Sequence, residues 1–257
     1  MSIYQHFRPE EKDFIDQVLN WRQYVEDSYA PKLTDFLDPR EQKIVNIIIG
    51  QNTDVLVTFS GGTKAAERKR ALLYPSYYEV EQEDFQLSLQ NIEYAKKFVT
   101  IEHPQVLGSI MSLGLSRSKF GDILIKDGDV QLIICKEIEE YLRLQLDSIG
   151  RAKVSLSPIV WEKAIAQEEE WVETSTTLTS LRLDATIAAI YNISRQKAQG
   201  YIAASHVKVN WATVENISFT CEEGDVISVR GYGRSIIKSL EGKTKKDKWR
   251  IVIGKLK

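Results

Sequence analysis

The sequence predicts an α+β fold class divided over several domains, with a split βαβ sheet at its centre and two short helices on a small sheet at its C-terminal end. Three observations predict it. At 257 residues and 43% apolar content, the chain is long for one hydrophobic core and comfortable for two or three. Apolar spacing switches repeatedly between helical and alternating periods. Charge is also uneven. Leu181 to Lys257 hold 14 Lys and Arg against 7 Asp and Glu, whereas the remaining 180 residues hold 20 against 29. A basic module joined to an acidic body points to a localised polyanion partner, RNA or DNA.

The first segment, 1–78, reads as an α/β domain. Phe14, Val18, Leu19 and Trp21 give Glu10 to Tyr24 a helical stripe. Pro31 and Pro39 interrupt, and Glu41 to Ile49 is a second helix. Val55 to Phe59 is a strand ended by Ser60-Gly61-Gly62. A helix is expected from Thr63 to Leu72, stopped before Pro75.

The second segment, 79–160, follows a β-α-β-β-α-β order. Phe85, Leu87 and Leu89 alternate, and His103 to Leu113 is a helix. Ile123 to Lys126 and Val130 to Cys135 flank Asp127-Gly128-Asp129, a hairpin signal. Glu137 to Leu146 is helical, and Lys153 to Leu156 closes the sheet. This split βαβ arrangement hosts RNA-binding, metal-binding and structural domains alike. Residues 161–180, with EEEW and then TSTTLTS, read as a helix and linker.

The last segment, 181–257, opens with a helix over Asp184 to Tyr191. Ser194 caps a second, Arg195 to Ala204, whose apolar face carries Ala198, Tyr201 and Ile202. Val207 and Val209, Val226 to Arg230, and Trp249 to Ile253 are strands.

Other chemistry is poorly supplied. Ser60-Gly61-Gly62-Thr63-Lys64 lacks phosphate-loop spacing and reads as a strand-to-helix turn, with Arg68, Lys69 and Arg70 on the following helix. His6, His103 and His206 are scattered, so neither a metal nor a cofactor is expected. Glu168, Glu169 and Glu170 are adjacent rather than spaced along one helix face, and no GxSxG occurs. Only Cys135 and Cys221 are present, Cys135 in a strand-like run, so a reduced cytoplasmic setting without a disulfide framework is expected. No sequence repeat is visible, no apolar run approaches the ~20 residues that span a bilayer, and the first residues lack a signal peptide's apolar stretch.

Arg182-Leu183-Asp184, Ser194-Arg195, Ala198, Ile202, Val207-x-Val209-Asn210 and Gly224-Asp225 with Val229-Arg230 resemble the S4-type RNA-binding domain. One departure is Ser205, where such domains usually carry glycine. The start of the second helix is a phosphate seat, and Arg195 and Lys197 in its first turn are electrostatically misplaced unless phosphate neutralises them. Arg182, Arg195, Lys197 and Lys208 rank first as RNA contacts, with Arg230 and Arg234 extending one positive surface. Lys245 and Lys246, in the run Lys243 to Arg250, contact phosphate or form a solvated charge run. Trp211 and Tyr232 could stack on bases; for Trp211, packing over the core is the favoured reading.

Further stretches, Phe36-Leu37-Asp38-Pro39-Arg40-Glu41-Gln42, Phe59-Ser60-Gly61-Gly62 with Ala66-Glu67-Arg68-Arg70, and Gly114-Leu115-x-Arg117-x-x-Phe120-Gly121-Asp122-Ile123, resemble the bacterial YlmH family over nearly the full chain. The resemblance implies an N-terminal domain, an RNA-recognition-like middle domain and the C-terminal S4-type module. It implies a non-catalytic, ribosome-associated factor that binds 23S rRNA of the large ribosomal subunit, with peptidyl-tRNA and translation quality-control or cell-division proteins as further partners. Arg117 and Lys119 then become RNA-backbone candidates; the competing reading is a loop shaped by Gly114 and Gly121, with Asp122 capping backbone amides. The middle domain's central strand, Val130 to Cys135, lacks an aromatic pair for base stacking. Two other classes compete: an RNA-modifying enzyme (pseudouridine synthase or rRNA methyltransferase), whose active-site aspartate or glycine-rich cofactor loop is not found, and a protein-interaction factor.

Overall fold

The computed structural model describes residues 3–50, 54–166 and 171–256. The chain forms two compact units, Met1–Gln167 and Glu168–Lys257. Residues Glu168, Glu169 and Glu170 and the His6 side chain lie outside the described residues. Among those described, no helix is long and apolar enough to cross a membrane.

The first unit begins with α1 (Lys12–Ser28), which buries Ile15, Val18 and Val25 and ends where Tyr29 turns left-handed at φ 54. Strand β1 (Lys32–Leu37) leads into α2 (Pro39–Ile49). Asp38 accepts from the Glu41 backbone N–H at 2.9 Å, and Glu41 accepts from that of Asp38 at 2.7 Å, so a capping box starts α2 with Pro39 in its first turn. Strands β2 (Val55–Ser60) and β3 (Lys69–Pro75) complete an antiparallel sheet in the order β1-β3-β2.

The helix expected over Thr63 to Leu72 does not form. The chain turns between Thr63 and Arg68 and then enters β3, the middle strand. Lys64 to Arg70 is compatible with helix by propensity, but Ala71, Leu72 and Leu73 are consecutively buried, and a continuous apolar run suits a central strand. The Ser60-Gly61-Gly62 turn therefore joins strand to strand. A Cβ at Gly62, whose φ is 85, would lie 2.3 Å from the Trp161 ring.

Next come β4 (Leu87–Glu93), α3 (His103–Ser112), β5 (Phe120–Lys126), β6 (Asp129–Cys135), α4 (Glu139–Gln145), a two-residue hairpin β7 (Ser148–Ile149) and β8 (Ala152–Lys153), and β9 (Ser155–Pro158). The sheet order is β5-β6-β4-β9, all antiparallel, and this is the split βαβ order read from the sequence. Asp127 and Gly128, at φ 51 and 79, make the two-residue hairpin turn. Every residue from Val130 to Cys135 is buried, so both faces of β6 are covered. The Gln131 side chain donates to the Lys163 carbonyl at 2.9 Å and accepts from the Ile165 N–H at 2.8 Å. Residues 161–165 thus lie across the sheet face where an RNA-recognition domain would stack bases, and Trp161, Ala164 and Ile165 pack on its core.

The second unit holds β10 (Trp171–Leu178), α5 (Leu183–Tyr191), α6 (Arg195–Ala203), β11 (Val207–Val209), β12 (Ala212–Thr213), β13 (Val226–Val229), β14 (Gly233–Lys243) and β15 (Trp249–Leu256). They form one antiparallel sheet in the order β10-β15-β14-β13-β11-β12. The reading of 161–180 as helix and linker is corrected. Trp161–Lys163 is a single 3₁₀ turn, and TSTTL belongs to β10, paired with β15 from Trp171↔Leu256 to Leu178↔Trp249. Threonines favour strand, and a sheet-edge position tolerates their polarity. The sheet is therefore larger than the three strands expected.

Candidate nucleic-acid interface

The C-terminal helices meet at a buried charge. Asp184, in the first turn of α5, is 0% exposed. Its carboxylate accepts from Arg195 Nη2 at 2.9 Å, Gln199 Nε2 at 2.8 Å, and Arg182 Nε and Nη2 at 3.2 and 3.4 Å. Burial alone would raise the pKa of this group; the hydrogen bonds from Gln199, Arg182 and Arg195 outweigh it and hold the carboxyl down to about 2. Both arginine side chains stay exposed, at 40% for Arg182 and 51% for Arg195. One buried negative charge thus fixes two outward cations, leaving a net positive site beside the start of α6. There, Ser194 caps the helix by accepting from the Lys197 N–H at 3.1 Å. Guanidinium forks held this way match phosphate geometry.

The other candidates do not all converge here. Val207 and Val209, Ile227 and Val229, and Ile237 point into the core. Lys208, Ser228 and Arg234 are directly paired across β11, β13 and β14, so they share the opposite face. Arg234 packs there over the Trp211 ring at 5.7 Å, which sets Trp211 outside the core it was expected to cover. Lys197 and Arg230 belong instead with Tyr201, Tyr232 and His206: Lys197 Nζ is 5.6 Å from the Tyr232 ring, and Arg230 Nη1 is 3.4 Å from His206 Nε2. Lys245 and Lys246 occupy the β14–β15 hairpin tip, about 30 Å of extended strand beyond Arg234. Arg182 is therefore held at the helix starts, while Lys208 and Arg234 line the sheet face opposite the core. Ser205 adopts φ 57, the left-handed conformation that glycine usually supplies at this turn.

In the first unit, Arg117 is half-buried and donates to the Gly121 carbonyl at 3.1 Å and to that of Phe120. Burial, then the neighbouring Arg68 charge, lowers its pKa to about 10. Lys119 Nζ bridges Asp35 at 2.8 Å and Glu137 at 2.6 Å. Asp35, Cys135 and Glu137 form a group whose potential metal-ligand atoms lie within 4.8 Å of one another among the described residues. The Lys119 ammonium already sits between the two carboxylates, and burial pushes the Cys135 thiol up to about 12, so the sulfur stays protonated.

Comparisons with known proteins agree with this layout. Residues 10–78 match the family model described as "YlmH, N-terminal", residues 80–163 the one described as "Putative RNA-binding domain in YlmH", and residues 181–227 the S4 domain. The chain is 46% identical over 256 residues to "Ribosome-associated protein quality control protein P2" of Bacillus subtilis (strain 168), covering 100% of this chain and 99% of that protein. The chain belongs to the YlmH family. A solved structure titled "Cell division protein ylmH from Streptococcus pneumoniae" is 37% identical, with a TM-score of 0.56, over 64% of this chain and 100% of that one. The S4 domain and the YlmH RNA-binding domain give the chain an RNA-binding role; the YlmH family is described by RNA binding rather than by catalysis.

The three YlmH stretches in the first unit meet in one network. Arg68 Nη2 donates to the Phe36 carbonyl at 3.0 Å, and Gln42 Nε2 donates to those of Leu37 and Glu67 at 2.9 and 2.8 Å. Asp122 accepts from the N–H groups of Glu67 and Arg68 at 2.7 and 3.2 Å, the amide-capping role weighed from sequence. A Cβ at Gly121 would come 2.7 Å from the Phe36 ring. These YlmH signatures therefore join β1, the β2–β3 turn and β5. Sequence reading assigned no role to Asp184 and Gln199; the available signal was an acidic residue inside the apolar helix Leu183–Tyr191, two positions after Arg182.

Proposed function

We propose that this protein is a non-catalytic RNA-binding factor that docks on 23S rRNA of the large ribosomal subunit, contacts tRNA, and acts in rescue or quality control of stalled translation. Its place is the cytoplasm, on the ribosome. The observation that carries this reading is the pair of exposed guanidinium groups, Arg182 and Arg195, oriented by buried Asp184 within an S4 domain. The printed name of the Bacillus subtilis relative supports the cellular role. The S4-domain unit anchors on phosphate, and the first unit adds a second contact that raises the effective concentration of the whole.

Co-sedimentation with purified large subunits over a series of salt concentrations tests this. Arg182→Ala and Arg195→Ala each weaken binding and lower the slope of log affinity against log salt by roughly 0.7–0.9 per lost phosphate contact. Unchanged affinity and slope in both variants would remove the cluster from the interface. Nucleoside composition of rRNA is expected to be the same with and without the protein.

A further inference from the structure

Arg230-Gly231-Tyr232 turns the chain from β13 into β14, whose first residue is Gly233. Gly231 and Gly233 take φ of 83 and 86, and a Cβ at either would meet nothing within 4 Å. The left-handed backbone calls for glycine, and the open space above it admits another chain closely. Tyr232 folds back from this turn onto the helices. Its ring centroid lies 5.2 Å from Tyr191 and 5.5 Å from Tyr201, edge-on at 88° to the latter. Tyr191 is the fixed member, its hydroxyl held by the Gly233 carbonyl at 3.2 Å and Ser235 Oγ at 3.1 Å. Tyr201 and Tyr232 are half-buried with their hydroxyls at the surface.

Cations surround this triad. Lys197 Nζ is 5.6 Å from the Tyr232 centroid, Lys255 Nζ is 5.6 Å from that of Tyr191, and Arg230 lies against His206, whose ring is 6.2 Å from Tyr201. Among the described residues none of Lys197, Lys255 and Arg230 forms an ion pair. The Tyr232 hydroxyl hydrogen-bonds Tyr201 and Lys197, which fixes that cation beside the rings, and packing alone does not call for Lys255 and Arg230 as well. Together, rings and cations match a nucleotide: an aromatic face for the base and positive charge for its phosphates.

We infer that Tyr201 and Tyr232 form a stacking site for an unpaired RNA base, with Lys197, Lys255 and Arg230 holding the flanking phosphates. A regular A-form duplex keeps its bases inside and offers phosphates to the Arg182–Arg195 cluster alone, so this site directs the protein to a loop, bulge or strand end. The inference rests on the RNA-binding reading above and adds the class of RNA.

The test uses the full chain and two RNAs of equal phosphate number: a hairpin with 2-aminopurine among unpaired adenines in its loop, and a blunt duplex. The wild-type protein binds the hairpin on the order of tenfold more tightly and alters 2-aminopurine fluorescence. Tyr232→Leu and Tyr201→Leu lose that preference and the fluorescence change while keeping duplex affinity, which also reports that they are folded; Tyr232→Phe keeps both. Equal binding of hairpin and duplex by the wild type, or a preference untouched in both leucine variants, overturns the stacking site and leaves RNA binding intact. Binding of neither RNA overturns the RNA-binding reading and the site with it.

Discussion

Arg68 and Arg70 in the first unit are 9% and 4% exposed, whereas the side chains of Arg182 and Arg195 in the second are 40% and 51% exposed. Arg70 gives Nε to the Thr34 carbonyl at 2.6 Å and Nη1 to those of Phe85 and Gln86 at 3.2 and 3.1 Å. Arg68 bonds the Phe36 carbonyl. Such arginines replace backbone hydrogen bonds where irregular chain segments meet, and their five-donor fork suits the work. Arg195 gives one nitrogen to Asp184, and the rest of its fork lies toward the surface. Both pairs belong to recognised motifs, Arg68 and Arg70 to the YlmH N-terminal domain and Arg182 and Arg195 to the S4 domain, yet one closes the interior and the other addresses a ligand. Counting basic residues along the chain does not separate them; burial and donor direction do.

The largest effect that breaks this comparison concerns stability. Arg70→Ala leaves three carbonyls of the first unit without their donor and costs on the order of 3 kcal/mol, read by denaturant unfolding. RNA affinity of the molecules that remain folded is unchanged. A loss of affinity without a loss of stability would place Arg70 in the interface instead.

Next comes acid sensitivity. The folded pKa of Asp184, about 2, lies below the ordinary carboxylate value of ~3.9. Its stabilisation of about 2 kcal/mol is thus fully present above that ordinary value and is lost as pH falls through about 2. Asp122 and Asp38 run the other way. Burial raises both, so their contribution declines as pH rises from the ordinary value through the raised one. The stability difference between wild type and Asp184→Asn is therefore flat above about pH 4 and shrinks below it, whereas Asp122→Asn removes a component of opposite sign. Unfolding free energies measured across pH for the two variants check the signs.

The smallest effect is expected at Lys119. Its exposed pairs with Asp35 and Glu137 are worth at most about 1 kcal/mol. Lys119→Ala changes RNA affinity less than about twofold, since the ammonium is already neutralised within the first unit. A tenfold loss would add this loop to the interface.

Local signals made much of the architecture legible. Helix α1 followed its apolar stripe, α2 and α3 formed where helices were expected, Asp127-Gly128 marked its hairpin, and Ser194 marked the start of α6. Strand β3 was hidden because Lys64 to Arg70 is compatible with helix, and only the partners on both sides make it a strand. Strand β10 was hidden because its threonines read as a linker until β15 pairs with them. At the candidate interface, Arg182, Arg195 and Lys197 were legible as charges near a helix start. The opposite placement of Lys208 and Arg234 required the cross-strand register. Asp184 stood in the S4-type motif without a role of its own, because an acidic residue in a first helical turn usually needs no explanation beyond the helix dipole.

Asp184→Asn tests most directly whether oriented guanidinium groups, rather than net charge, bind RNA. The substitution adds one unit of positive charge to an already basic unit, so charge alone would tighten binding. Measured on folded protein against large-subunit RNA at low salt and neutral pH, the variant is expected to bind roughly tenfold more weakly, because Arg182 and Arg195 lose the carboxylate that holds them. Equal or tighter binding would contradict the account.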